Sequence, residues 1–101
     1  MTKTRAWDPA ENLKTDEDIA EYLTAAFEEG DVKLIAAALG DVARVRGGMT
    51  QVARDTGLAR EALYRALSED GNPALDTVLR VAKALGIKLT AVLDRDGAHA
   101  A

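Results

Sequence analysis

The chain of 101 residues has no cysteine, which excludes disulfides and thiolate metal sites and fits a reducing cytoplasm. Only four residues are aromatic (Trp7, Tyr22, Phe27 and Tyr64), so the core is expected to consist of Leu, Val, Ile and Ala, whose small members let helices approach closely. The one histidine, His99, sits near the C-terminus, and no His/Cys/carboxylate cluster has metal-ligand spacing. No Gly-rich phosphate loop follows a strand pattern, so an enzyme is the least favoured class and no cofactor is expected. No apolar run approaches the roughly 20 residues of a membrane span, and the basic N-terminus lacks an apolar signal region behind it. A non-membrane, cytoplasmic protein is the expectation.

Basic charge is scarce at the front of the chain. Residues 1–31 carry Lys3, Arg5 and Lys14 against nine acidic residues, a balance of −6. Residues 32–101 carry ten basic against eight acidic residues, a balance of +2, and within 44–67 five arginines face only Asp55 and Glu61, a local +3. The overall charge of −4 thus hides an acidic front and a basic middle, each suited to a different partner.

What the chain does have is helical periodicity, and its length suits one domain. Residues 1–14 lack a clear period and read as an arm, 15–93 as a single helical domain, and 94–101 as a tail. Thr15 with Asp18 three residues on has the form of a capping box, and Ile19, Tyr22, Leu23, Ala26 and Phe27 follow at helical spacing up to Gly30. Asp31 can cap a second helix whose expected buried face is Leu34, Ile35, Ala38, Leu39 and Val42, ending near Gly47-Gly48. Two short helices over 50–56 and 60–68 come next. A polar loop then leads to a helix over 75–85, with Leu75, Val78, Leu79, Ala82 and Leu85 expected inward and Gly86 closing it. Residues 87–93 alternate apolar and polar, the period of a short β-strand.

Residues 50–68 have the stereochemistry of a helix-turn-helix. Ala53 supplies a small crossing point, Gly57 four residues later a turn tolerant of positive φ, Leu58 an apolar residue beneath it, and Leu63 an anchor for the second helix. With Leu63 and Leu67 facing the core, Arg60, Glu61 and Arg65 project from the second helix, where such a unit meets base edges. Arg can make two parallel hydrogen bonds to guanine and Glu can accept from cytosine. Thr50 and Gln51, at the start of the first short helix, suit a phosphate, and Asn72 in the following loop is a weaker candidate. A tight helical hairpin with a solvated face would use the same residues, Glu61 and Arg65 then forming an i,i+4 pair.

The stretches 15–23 (TDEDIAEYL), 34–44 (LIAAALGDVAR), 63–68 (LYRALS), 71–73 (GNP) and 77–81 (TVLRV) resemble the Xre, phage-repressor-like helix-turn-helix class. More narrowly, they resemble the antidote proteins of type II toxin–antitoxin modules whose toxins are RelE/HigB-like. The resemblance covers nearly the whole chain. Two departures are Ala59, where such proteins commonly have a capping Ser, and Gly47-Gly48, which looks one residue long. The resemblance implies an all-α, λ-repressor-like bundle of about five helices with an extra N-terminal helix and a short C-terminal strand. It also implies an antitoxin that neutralises a cognate toxin and represses its own operon by binding operator DNA. Such toxins are basic, so the acidic front offers them a complementary surface, with Glu21, Glu28 and Glu29 on the exposed side of the first helix.

Two other functions share these features: a stand-alone repressor of the same class without a toxin, and a toxin-binding adaptor without DNA affinity. The 87–93 strand needs a pairing partner, either the arm around residues 6–8 or the same strand of a second copy. A homodimer is the expected assembly, because two recognition helices can then read a near-palindrome.

Overall fold

The computed structural model describes residues 9–68 and 70–94, and among these it contains five α-helices, one 3-10 turn and no strand. A 3-10 turn over Pro9–Asn12 packs on the second helix and delivers Leu13 into the core. Thr15 then caps α1, Asp16–Glu29. Its hydroxyl accepts the Asp18 N–H at 3.0 Å, and the Asp18 carboxylate accepts the Thr15 N–H at 3.1 Å, the two halves of a capping box. At the other end Gly30 adopts φ 73°, a left-handed conformation that stops the helix at little cost for glycine. The Asp31 carboxylate accepts the Lys33 N–H at 2.9 Å and opens α2, Val32–Val45.

The remaining helices are α3, Gly48–Thr56, α4, Arg60–Ala66, and α5, Leu75–Ala84. α2 is the central element. Its Ala38, Leu39, Val42 and Ala43 are buried, and it packs on α1 and on α3, while α3 packs in turn on α4 and α5. Ile19 and Leu23 of α1, Met49 and Val52 of α3, Leu63 of α4, Leu67 just beyond it, and Val81 and Leu85 of the α5 end complete one core. Close approach of α2 to the end of α4 depends on Gly40, where any Cβ would collide with the Leu67 carbonyl.

The helices lie where periodicity places them, with shifted ends. α3 begins two residues before Thr50, because Gly47 and Gly48 both take positive φ and the second of them already belongs to the helix. α4 stops at Ala66 rather than at Ser68. Three leucines expected inward are exposed instead: Leu34, Leu75, which is 71% accessible, and Leu79. On α5 the docking face against α3 is centred on Val78, Val81 and Leu85, which turns Leu75 and Leu79 away from it.

The strand expected over 87–93 is absent. The Ile87 N–H bonds to the Ala82 carbonyl at 2.8 Å and so closes the end of α5. Beyond it no backbone–backbone hydrogen bond joins residues 88–93 to any described segment, and a strand without a ladder is not a strand. Residues 6–8, the other pairing partner considered, lie outside the described residues, as does His99.

Candidate nucleic-acid interface and acidic face

The unit formed by α3, the three-residue connection and α4 is built as the sequence requires. Gly57 sits at φ 77°, and its N–H donates to the Ala53 carbonyl at 2.9 Å. Ala53 and Leu58 pack against the core from either side of the turn. The Thr56 hydroxyl adds a stitch that periodicity does not reveal. It donates to the Val52 carbonyl at 2.8 Å and accepts the Leu58 N–H at 3.2 Å, holding both sides of the connection together. Ala59 occupies the N-cap of α4 and supplies no side-chain cap, as expected for its departure from Ser.

With Leu63 and Leu67 buried, the 100° step per residue gathers Arg60, Tyr64, Glu61 and Arg65 on one exposed arc of α4. The i,i+4 ion pair between Glu61 and Arg65 does not form, since neither belongs to any salt bridge of the described residues. Tyr64 is the member that the sequence reading missed. It is 49% accessible, its ring lies under the Arg60 guanidinium at 5.3 Å, and its hydroxyl accepts from Arg60 Nη2 at 3.3 Å. The signal was available, because Tyr64 stands one helical turn from Arg60 and three residues from Glu61.

The other candidates are distributed unevenly. Thr50 is exposed in the first turn of α3. Gln51 is half-buried and engaged within its own helix, donating to Asp55 at 2.8 Å and accepting from Arg54 at 3.3 Å. Asn72 is exposed in the loop after Gly71, away from the α4 arc in sequence and in a separate element. Of the five arginines between 44 and 65, two face acidic groups elsewhere. Arg44 pairs with Asp41 at 2.6 Å, and Arg46 reaches Asp16 at the start of α1 at 2.9 Å. Arg54, Arg60 and Arg65 are left exposed on α3 and α4.

α1 presents the opposite sign. Asp16, Glu17, Asp18, Glu21, Glu28 and Glu29 lie on a helix without a single basic residue, and Glu21, Glu28 and Glu29 are all exposed. The seven-residue spacing of Glu21 and Glu28 places them on one stripe, two turns apart. No group of metal-ligating side chains exists among the described residues. No helix there is long and apolar enough to cross a membrane.

Comparison with known proteins decides the family. The family described as "Probable addiction module antidote protein" matches residues 3–93. The chain belongs to this family. An uncharacterized protein of Haemophilus influenzae is 49% identical to it over 82 residues, covering 81% of this chain and 84% of that protein. No solved structure matches it. Membership of an antidote family implies a cognate toxin, and the description names an antidote rather than an enzyme.

Proposed function

We propose that this antidote acts in two ways: it neutralises a basic, RelE/HigB-like toxin through the acidic face of α1, and it represses its own operon by binding operator DNA. On this reading the bundle is of the λ-repressor type and the chain of the Xre class. α3 lies across the backbone and α4 enters the major groove. The observation that carries the DNA half is the exposed Arg60–Tyr64–Glu61–Arg65 arc on a short helix whose opposite side is fixed by Leu63. Arg60 and Arg65 suit guanine edges and Glu61 a cytosine amino group, while Thr50 supplies a phosphate contact at the start of α3. Gln51 can join that contact through the second hydrogen of its amide, only one being engaged by Asp55, and Asn72 touches the backbone at most. Both partners are cytoplasmic, and the working form is a homodimer.

The toxin half rests on charge. Glu21, Glu28 and Glu29 give the exposed side of α1 a net negative charge that attracts and orients a basic protein. The DNA half is tested by selecting duplexes from a randomised pool and measuring their affinity at two salt concentrations. Arg60→Ala and Arg65→Ala are each expected to cost about 1–3 kcal/mol on the selected duplex and to relax the preference at one base pair, with the fold intact. Unchanged affinity in both variants moves the reading surface elsewhere.

A further inference from the structure

The geometry points to Tyr64 as a positioning residue for Arg60, holding the guanidinium in place before DNA arrives. This rests on the reading of α4 as the groove-entering helix. Arginine is long and flexible, so an arginine that must reach a base edge loses rotamer freedom on binding. Here part of that loss is already taken in the free protein, because the Tyr64 ring receives the cation at 5.3 Å and its hydroxyl accepts one Nη2 hydrogen at 3.3 Å. The five N–H donors of the guanidinium lie in its plane, and only one of them is engaged by the hydroxyl. The remaining four donors are left for a base edge.

Placement supports the role. The chain has two tyrosines; Tyr22 packs against the core, whereas Tyr64 leaves half its surface on the arc of α4 that carries the charged side chains. Leu63 and Leu67 bury the inner side of this segment, and Tyr64 borders the groove between α4 and α2 beside Ala37, Gly40 and Arg44, so packing fixes the ring that receives Arg60.

The test has one arm without DNA and one with it. In the free protein, the Arg60 δ-methylene protons are expected to be shifted upfield by the Tyr64 ring, a shift kept in Tyr64→Phe and lost in Tyr64→Leu. Absence of that shift in the unaltered protein overturns the proposal whatever the DNA result. On a duplex selected by the unaltered protein, Tyr64→Leu is expected to lower affinity about two- to fivefold, the scale of an exposed cation–π contact. It should relax preference at the same base pair as Arg60→Ala, with Tyr64→Phe retaining most of the discrimination. The double variant should then be no weaker than Arg60→Ala alone. Additive losses, or tighter binding by Tyr64→Leu, overturn the positioning role while leaving DNA recognition standing. If the pool yields no enriched sequence, the DNA reading itself fails and the proposal falls with it.

Discussion

The Tyr22 hydroxyl on α1 donates to the Asp41 carboxylate on α2 at 2.6 Å, across the contact between these two helices. Asp41 is only 4% accessible, and its other oxygen takes the Arg44 guanidinium at 2.6 Å, so a buried charge is held from two elements. Removing one partner of a buried charge leaves its desolvation uncompensated. Tyr22→Phe is therefore expected to cost about 1–3 kcal/mol in urea unfolding, although it keeps the ring and its packing. A variant as stable as the parent would make this bond incidental to the α1–α2 contact.

Two glycines are needed for different reasons, and substitution separates them. At Gly40 the obstacle is the Leu67 carbonyl, so even alanine must push α4 away, with an expected loss of about 1–3 kcal/mol. At Gly57 nothing lies within 4 Å of an added Cβ, and the obstacle is the positive φ of 77°. Gly57→Asn should be nearly tolerated, because Asn visits that conformation readily, whereas Gly57→Val should cost about 1–3 kcal/mol. Equal melting temperatures for the Asn and Val variants would contradict the conformational argument.

The α1 cap makes a pH-dependent contribution. Backbone N–H groups of Lys14 and Thr15 bond the Asp18 carboxylate, each at 3.1 Å, and hold its pKa below the ordinary 3.8. A carboxylate depressed on folding adds stability above its unfolded pKa and loses it as pH falls through the lowered value. Asp18→Asn should melt earlier than the parent at neutral pH, and the two should converge as pH drops below 3.8. Parallel curves down to the acid limit would show that the cap is indifferent to ionisation.

Local chemistry was the most legible part of this chain. The Thr15–Asp18 box, the Gly30 stop, the Asp31 cap and the Gly57 turn each depend on a few adjacent residues, and each forms as those residues dictate. The choice of buried face was less legible, because a helical period marks a stripe but its neighbours decide which edge of the stripe docks. Leu75 and Leu79 are exposed for that reason. Tyr64 and the Tyr22–Asp41 bridge were hidden in another way. Their roles depend on what lies opposite, and Asp41 meets Tyr22 across 19 residues of sequence. The alternation over 87–93 is a property of one segment, whereas a strand is a property of two.

Charge reversal on α1 tests the second partner. Glu21→Lys, Glu28→Lys and Glu29→Lys together are expected to weaken protection against the toxin more than DNA binding, since these side chains lie on α1 and the basic arc lies on α4. Co-expression of the triple variant with a basic toxin that the unaltered protein neutralises reads the first effect, and a gel-shift titration reads the second. Full protection by the triple variant would remove this face from the toxin contact.

If the proposed homodimer is the working form, its seam is expected around residues 87–93. Val92 and Leu93 are 87% and 74% accessible, and Leu89 beside them is exposed as well. Leaving such side chains in water forfeits about 25 cal/mol for each Å² of apolar surface that a partner could cover. Packing of this apolar segment against a second copy, the homodimer proposed above, removes that surface from water without requiring a strand. Reading successive major-groove faces of a near-palindrome requires two α4 helices about 34 Å apart, which a single copy does not supply. Leu89→Asp places a charge in that seam while leaving the helical core untouched. In light scattering the unaltered protein should show twice the chain mass at micromolar concentration, and the variant half of that with an unchanged helical circular dichroism signal. The variant should also bind a palindromic duplex more weakly and without cooperativity. An unaltered protein that scatters as a monomer and still binds such a duplex without cooperativity would leave each copy acting alone.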